Sequence, residues 1–117
     1  MTETKENRLL IRSVSKTCEI LSIDENRFLT SLGLETALNV KETDNIKLQK
    51  EDIELLLNFI KVYRFIDGFC GGDIQFIHHW VTTKNECFDA TPRECFYTRS
   101  GIQKLYGYVQ RFNHLYK

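Results

Sequence analysis

Apolar residues recur along most of this chain at the three- and four-residue spacing of a helix, and no stretch shows the alternation of a strand. Leu10, Val14, Cys18 and Leu21 mark one face of a first helix, from about Glu6 to Leu21. Ser22-Ile23-Asp24-Glu25 has the form of a capping box. In that motif a hydroxyl accepts from one orphan N–H while the glutamate three residues on reaches back to another. It predicts a short second helix carrying Phe28, Leu29 and Leu32 and stopping at Gly33, since glycine tolerates the left-handed backbone of a helix end. Leu34, Ala37 and Leu38 open a candidate third helix, after which Lys41-Glu42-Thr43-Asp44-Asn45 is a polar loop. The pattern therefore divides the chain into a helical part over residues 1–45 and a second part over 46–117.

The clearest helix spans Lys50 to Phe69. Ile53, Leu56, Leu57, Ile60 and Tyr63 form one stripe, and Leu55, Phe59, Val62 and Ile66 a second. A helix apolar on two faces belongs inside a fold rather than on its surface. Gly71-Gly72 ends it, and Asp73 can cap a following helix with Ile74, Ile77 and Val81 on one side and Phe76 and Trp80 beside them. Thr91-Pro92-Arg93-Glu94 combines an N-cap threonine, a proline at the first helical position and a glutamate at the third. Ser100-Gly101-Ile102-Gln103 resembles a further capping box, opening a last helix striped by Ile102, Leu105, Tyr106, Val109, Phe112 and Tyr116. The expected fold is all-α: a small helical bundle with a reduced, helix-turn-helix-like N-terminal part.

Composition narrows the function classes. The 117 residues carry 16 basic and 16 acidic side chains, so net charge gives no support to nucleic-acid binding, which needs a local cationic excess. The candidate recognition helix, Gly33 to Asp44, is worse still for phosphate, with Glu35, Glu42 and Asp44 against Lys41. One basic run stands out: Arg99 to Lys117 holds Arg99, Lys104, Arg111 and Lys117 with no acidic residue, and is the best candidate for contact with an acidic partner. No segment is long and apolar enough to span a membrane, and Met1–Arg8 is polar rather than signal-like, which leads us to expect a cytoplasmic protein.

Candidate chemistry is sparse. The sequence carries no nucleophilic serine motif, phosphate-binding loop or metalloprotease helix, and its carboxylates are spread along polar faces, so no enzyme is expected. Cys70, His78, His79, Cys87 and Cys95 fall within 26 residues, and thiolate with imidazole is zinc chemistry. Their spacings match no compact knuckle, so the simpler reading is three small core residues and two surface or hydrogen-bonded histidines, with neither metal nor cofactor.

From Leu56 to Arg111 a sequence of elements resembles the toxin-binding domain of Xre/MbcA/ParS-type antitoxins. A helix ends in an apolar run, followed by Gly71-Gly72-Asp73 and then Trp80; next come Asn85, Phe88 and Thr91-Pro92-Arg93-Glu94 with Cys95-Phe96. Thr98, Gly101, and Val109 near Tyr108 and Arg111 complete the pattern. This resemblance implies a prokaryotic or phage antitoxin that binds a RES-domain toxin, an enzyme that destroys NAD. It further implies that the C-terminal end lies over the toxin's substrate cleft. Here that end is Arg111, Phe112, Asn113, His114, Leu115, Tyr116 and Lys117. The N-terminal helices leave a DNA-binding regulator and a toxin-free helical adaptor as alternatives, and a homodimer is compatible with each.

Overall fold

The computed structural model describes residues 2–35, 48–87 and 89–115, with side chains described for 5–35, 48–87 and 89–112. The described residues form six helices: α1 (Thr2–Leu21), α2 (Glu25–Ser31), α3 (Lys50–Phe69), α4 (Ile74–Thr82), α5 (Pro92–Cys95) and α6 (Arg99–Leu115). The fold is an all-α bundle, with one isolated antiparallel bridge, Asn85 to Ala90, in the described part of the α4–α5 connection. Among the described residues no helix is long and apolar enough to cross a membrane. The expected third helix and its polar loop fall mostly in residues 36–47, outside the described residues.

Helix α3 has the bounds its pattern predicts, and its main neighbours are α6 and α1. Leu55, Leu56, Phe59, Val62 and Ile66 are all buried. Phe59 sits between Phe28 of α2, at 4.5 Å between ring centroids, and Phe96 after α5, at 5.2 Å. All three rings are fully buried, and edge or tilted ring contacts of this kind add stabilisation beyond the area they remove from water. Buried residues from both sides of position 45 belong to this one cluster, among them Val14, Phe28, Phe59 and Leu105.

The stripe of Ile53, Leu56, Leu57, Ile60 and Tyr63 differs from expectation, since Leu56 alone of its five members is buried. Leu57 remains 41% exposed and Ile53, Ile60 and Tyr63 are half-buried. Helix α1 packs beside that side and leaves an open groove rather than a sealed contact.

Two helix starts are also corrected. Asp24, not Ser22, is the N-cap of α2, with its carboxylate accepting from Arg27 N at 3.3 Å. Ser22 instead closes α1 with a left-handed backbone (φ 57°), where Ser22 N donates to Glu19 O and Ile23 N to Cys18 O. Those paired bonds satisfy two orphan carbonyls, and they place Ile23 in the core. At α6 the capping side chain is Thr98 rather than Ser100: Thr98 Oγ1 accepts from Gly101 N at 2.9 Å.

Arginines tie the short elements together. Arg99 donates to Leu32 O at 3.0 and 2.7 Å and pairs with Asp52 at 2.7 Å, so it closes the open end of α2 against the start of α3. Arg93 donates to Ser22 O at 2.6 Å, and Arg27 lies 4.1 Å from the Tyr97 ring centroid. Arg99 therefore serves the fold itself and drops out of the basic run proposed for a partner.

Candidate functional site

Five aromatic rings from three helices meet at one end of the bundle. Phe65 and Phe69 are four residues apart on the last turns of α3, so they share a face and stack at 6.0 Å. The chain then leaves α3 through Gly71 and Gly72, both left-handed (φ 63° and 75°). Gly72 N donates to Asp67 O and Gly71 N to Gly68 O, a reversal that a side chain at Gly71 would strain. Asp73 restarts the helix, its Oδ1 accepting from Gln75 N at 3.0 Å and Phe76 N at 3.4 Å. The reversal brings Phe76 back edge-on to Phe69 at 6.5 Å.

Helix α6 supplies the remaining rings. Phe112 meets Phe65 at 5.2 Å and Phe69 at 6.0 Å, both near perpendicular, and Tyr108 lies 6.2 Å from Phe112. The direction of α6 depends on Gly101: a Cβ there would lie 2.1 Å from Cys95 O and 2.6 Å from Thr98 Oγ1. Only glycine lets the first turn of α6 press on the end of α5, and the helix then runs back along α3.

This aromatic end is open to solvent. Phe69 is 52%, Phe76 47% and Ile74 46% exposed, and they are three of the five large hydrophobic side chains left exposed among the described residues. Their concentration at one place is the informative fact, since scattered exposed apolar residues are ordinary. Ile74 was expected on the inner side of α4 with Ile77 and Val81; those two are buried, whereas Ile74 faces outward one turn before them.

The residues singled out from sequence divide into two groups. Gly71, Gly72 and Asp73 shape the backbone at the aromatic end, while Gly101 seats the start of α6 on the end of α5, Pro92 and Glu94 build α5, and Trp80 packs half-buried on the core. In α5 the expected capping box is present: Thr91 Oγ1 accepts from Glu94 N at 3.2 Å and Glu94 Oε1 accepts from Thr91 N at 3.4 Å. Within the C-terminal segment, Arg111 is exposed and Phe112 is half-buried among the rings. Asn113, His114 and Leu115 continue the α6 backbone with side chains outside the description, and Tyr116 and Lys117 lie outside the described residues. Sequence reasoning missed Phe65 and Phe69, which belong to neither stripe of α3; their four-residue spacing beyond both stripes was the available signal.

The sulfur and imidazole groups are dispersed. Cys70 and Cys95 are buried, and Cys87 is exposed in the turn after α4 rather than in the core. Burial raises the thiol pKa of Cys70 and Cys95, and that of Cys18 is pushed up to about 12, first by burial and then by Glu25 and Asp24. His78 Nε2 donates to Ile20 O at 3.0 Å and lies 3.2 Å from Ser22 Oγ, which fixes α4 to the end of α1. Among the described residues no three His, Cys, Asp or Glu side chains stand together as a metal site. Neither the protein-family models nor the curated proteins give a match to this chain.

Proposed function

We propose that this protein is an antitoxin that binds a RES-domain toxin and blocks its NAD cleft with the C-terminal end of α6, doing no chemistry of its own. The observation that carries the reading is the exposed aromatic cluster, which surrounds Phe112 at the base of that end. Aromatic side chains with arginine are the usual anchors of protein interfaces, and Arg111 stands exposed next to Phe112. Rings already ordered against one another lose little freedom on binding, which favours a tight complex. The basic end residues Arg111 and Lys117 suit a cleft that accepts a pyrophosphate-bearing substrate. In this reading Phe69, Phe76 and Ile74 grip the toxin beside the cleft, and residues 111–117 enter it.

Co-expression with a RES-domain toxin encoded beside the gene tests the proposal, with cell growth and NAD content as readouts. The full chain is expected to preserve both. A chain lacking residues 113–117 is expected to keep its fold, because terminal turns are the least secured part of a domain, yet to protect poorly. Equal protection by the two chains would rule out occlusion by the C-terminal end. Failure of both would count against the antitoxin reading itself.

A further inference from the structure

The other two exposed large hydrophobics, Leu9 and Leu57, mark a separate surface: an open groove of about 690 Å³ between α1 and α3. Its apolar lining comes from Leu9, Leu10, Ile20, Leu57, Ile60 and Tyr63. Arg12, Lys16, Lys61 and Arg64 also line it, against Glu6 as the one acidic lining residue. In a chain whose charges balance at 16 of each sign, four cations with one carboxylate around an apolar floor is a local concentration. The geometry points to a docking site for an acidic amphipathic helix of a partner protein, with its leucine-type face on Leu57 and Ile60 and its carboxylates against Lys16 and Arg64.

Shape and charge select this occupant together. A helix laid in a groove uses apolar side chains at i, i+3, i+4 and i+7, and Leu9 and Leu10 of α1 with Leu57 and Ile60 of α3 offer aliphatic contacts for such a face. Phosphate-bearing nucleic acid would meet the cations but would leave the aliphatic floor without a stacking partner, because Tyr63 is the one ring in the lining. A bilayer surface is flat and would not fill a concave site. Helix α1 contributes nothing to the five-ring aromatic cluster, so this site stands apart from the toxin-binding reading.

The test uses the full chain and a short fluorescein-labelled helical peptide carrying leucines at i, i+3, i+4 and i+7 with glutamates at the flanking positions. A second peptide replaces each glutamate by lysine. The acidic peptide is expected to bind, more weakly as salt rises, and the lysine peptide is expected not to. Leu57→Glu should weaken binding at least about ten-fold by placing a charge on the floor, and Lys16→Glu with Arg64→Glu should weaken it by a similar factor. Both sets of changes fall on exposed side chains, and unchanged helical circular dichroism checks the fold. Equal binding of the two peptides, or undiminished binding by the charge-reversed variant, would overturn the proposal. So would no binding of the acidic peptide, and so would a concentration-dependent dimer abolished by Leu57→Glu, which would give the groove to a second copy of the chain.

Discussion

Helix α3 carries two sets of phenylalanines with opposite fates. Phe59, near its middle, is enclosed by Phe28 and Phe96 and is fully buried. Phe69, at its end, meets Phe65 and Phe112 at 6.0 Å and Phe76 at 6.5 Å and is half exposed. The same residue type on the same helix therefore serves two ends, packed more closely where it is enclosed than where it is open. Enclosure from several helices converts the ring's surface into stability, whereas contact only among rings on an open face leaves surface available to a partner.

The largest effect is expected at the buried ring. Phe59→Ala should cost about 3–5 kcal/mol, because it opens a cavity between two other buried rings, and denaturant melting would measure it. Loss of less than about 1 kcal/mol would show that the core collapses onto the gap. Gly101→Ala comes next, at about 1–3 kcal/mol, since the added methyl meets the Cys95 carbonyl, a backbone atom that cannot rotate away. As α6 must tilt to relieve that contact, Phe112 should leave the cluster and partner affinity should fall with stability.

Thr91→Ala removes only an N-cap and should cost about 1 kcal/mol in melting experiments while leaving partner affinity nearly intact. A smaller effect separates enclosed from open surfaces at the cysteines. Cys18, with its thiol pKa pushed up to about 12, and the buried Cys70 and Cys95 hold their protons at pH 8, whereas Cys87 is exposed. A maleimide probe at that pH should label Cys87 rapidly and the other three only as the protein unfolds. Fast labelling of Cys18 would place α1 further from the core than described.

Much of the fold was legible because its signals are local. The bounds of α3, the stop at Gly33, the Asp73 cap and the Thr91 to Glu94 capping box depend on a few neighbouring residues. The misplaced caps had the right letters in the wrong register. Ser22 and Ser100 each begin a Ser-x-x-Glu or Ser-x-x-Gln run, yet Ser22 is needed to close α1 so that Ile23 can be buried, and Thr98 lies one turn before the Gly101 contact that sets α6. In sequence Arg99 is one of a run of cations, and its bond to the Leu32 carbonyl depends on a contact between residues 67 apart. The candidate site was half legible. Phe112 and the glycine and aspartate at the turn are visible in sequence, but the meeting of Phe65, Phe69, Phe76 and Phe112 is a property of three helices crossing.

The most direct measurement replaces the exposed rings themselves. Phe69→Ser with Phe76→Ser, in the purified full chain, should move the melting temperature far less than Phe59→Ala does, because both rings already face water. The same double variant should lose affinity for the RES-domain toxin by at least about 30-fold, the equivalent of about 2 kcal/mol at an interface anchor. Undiminished affinity with an unchanged melting temperature would show that the aromatic end is ordinary surface, and would contradict the account.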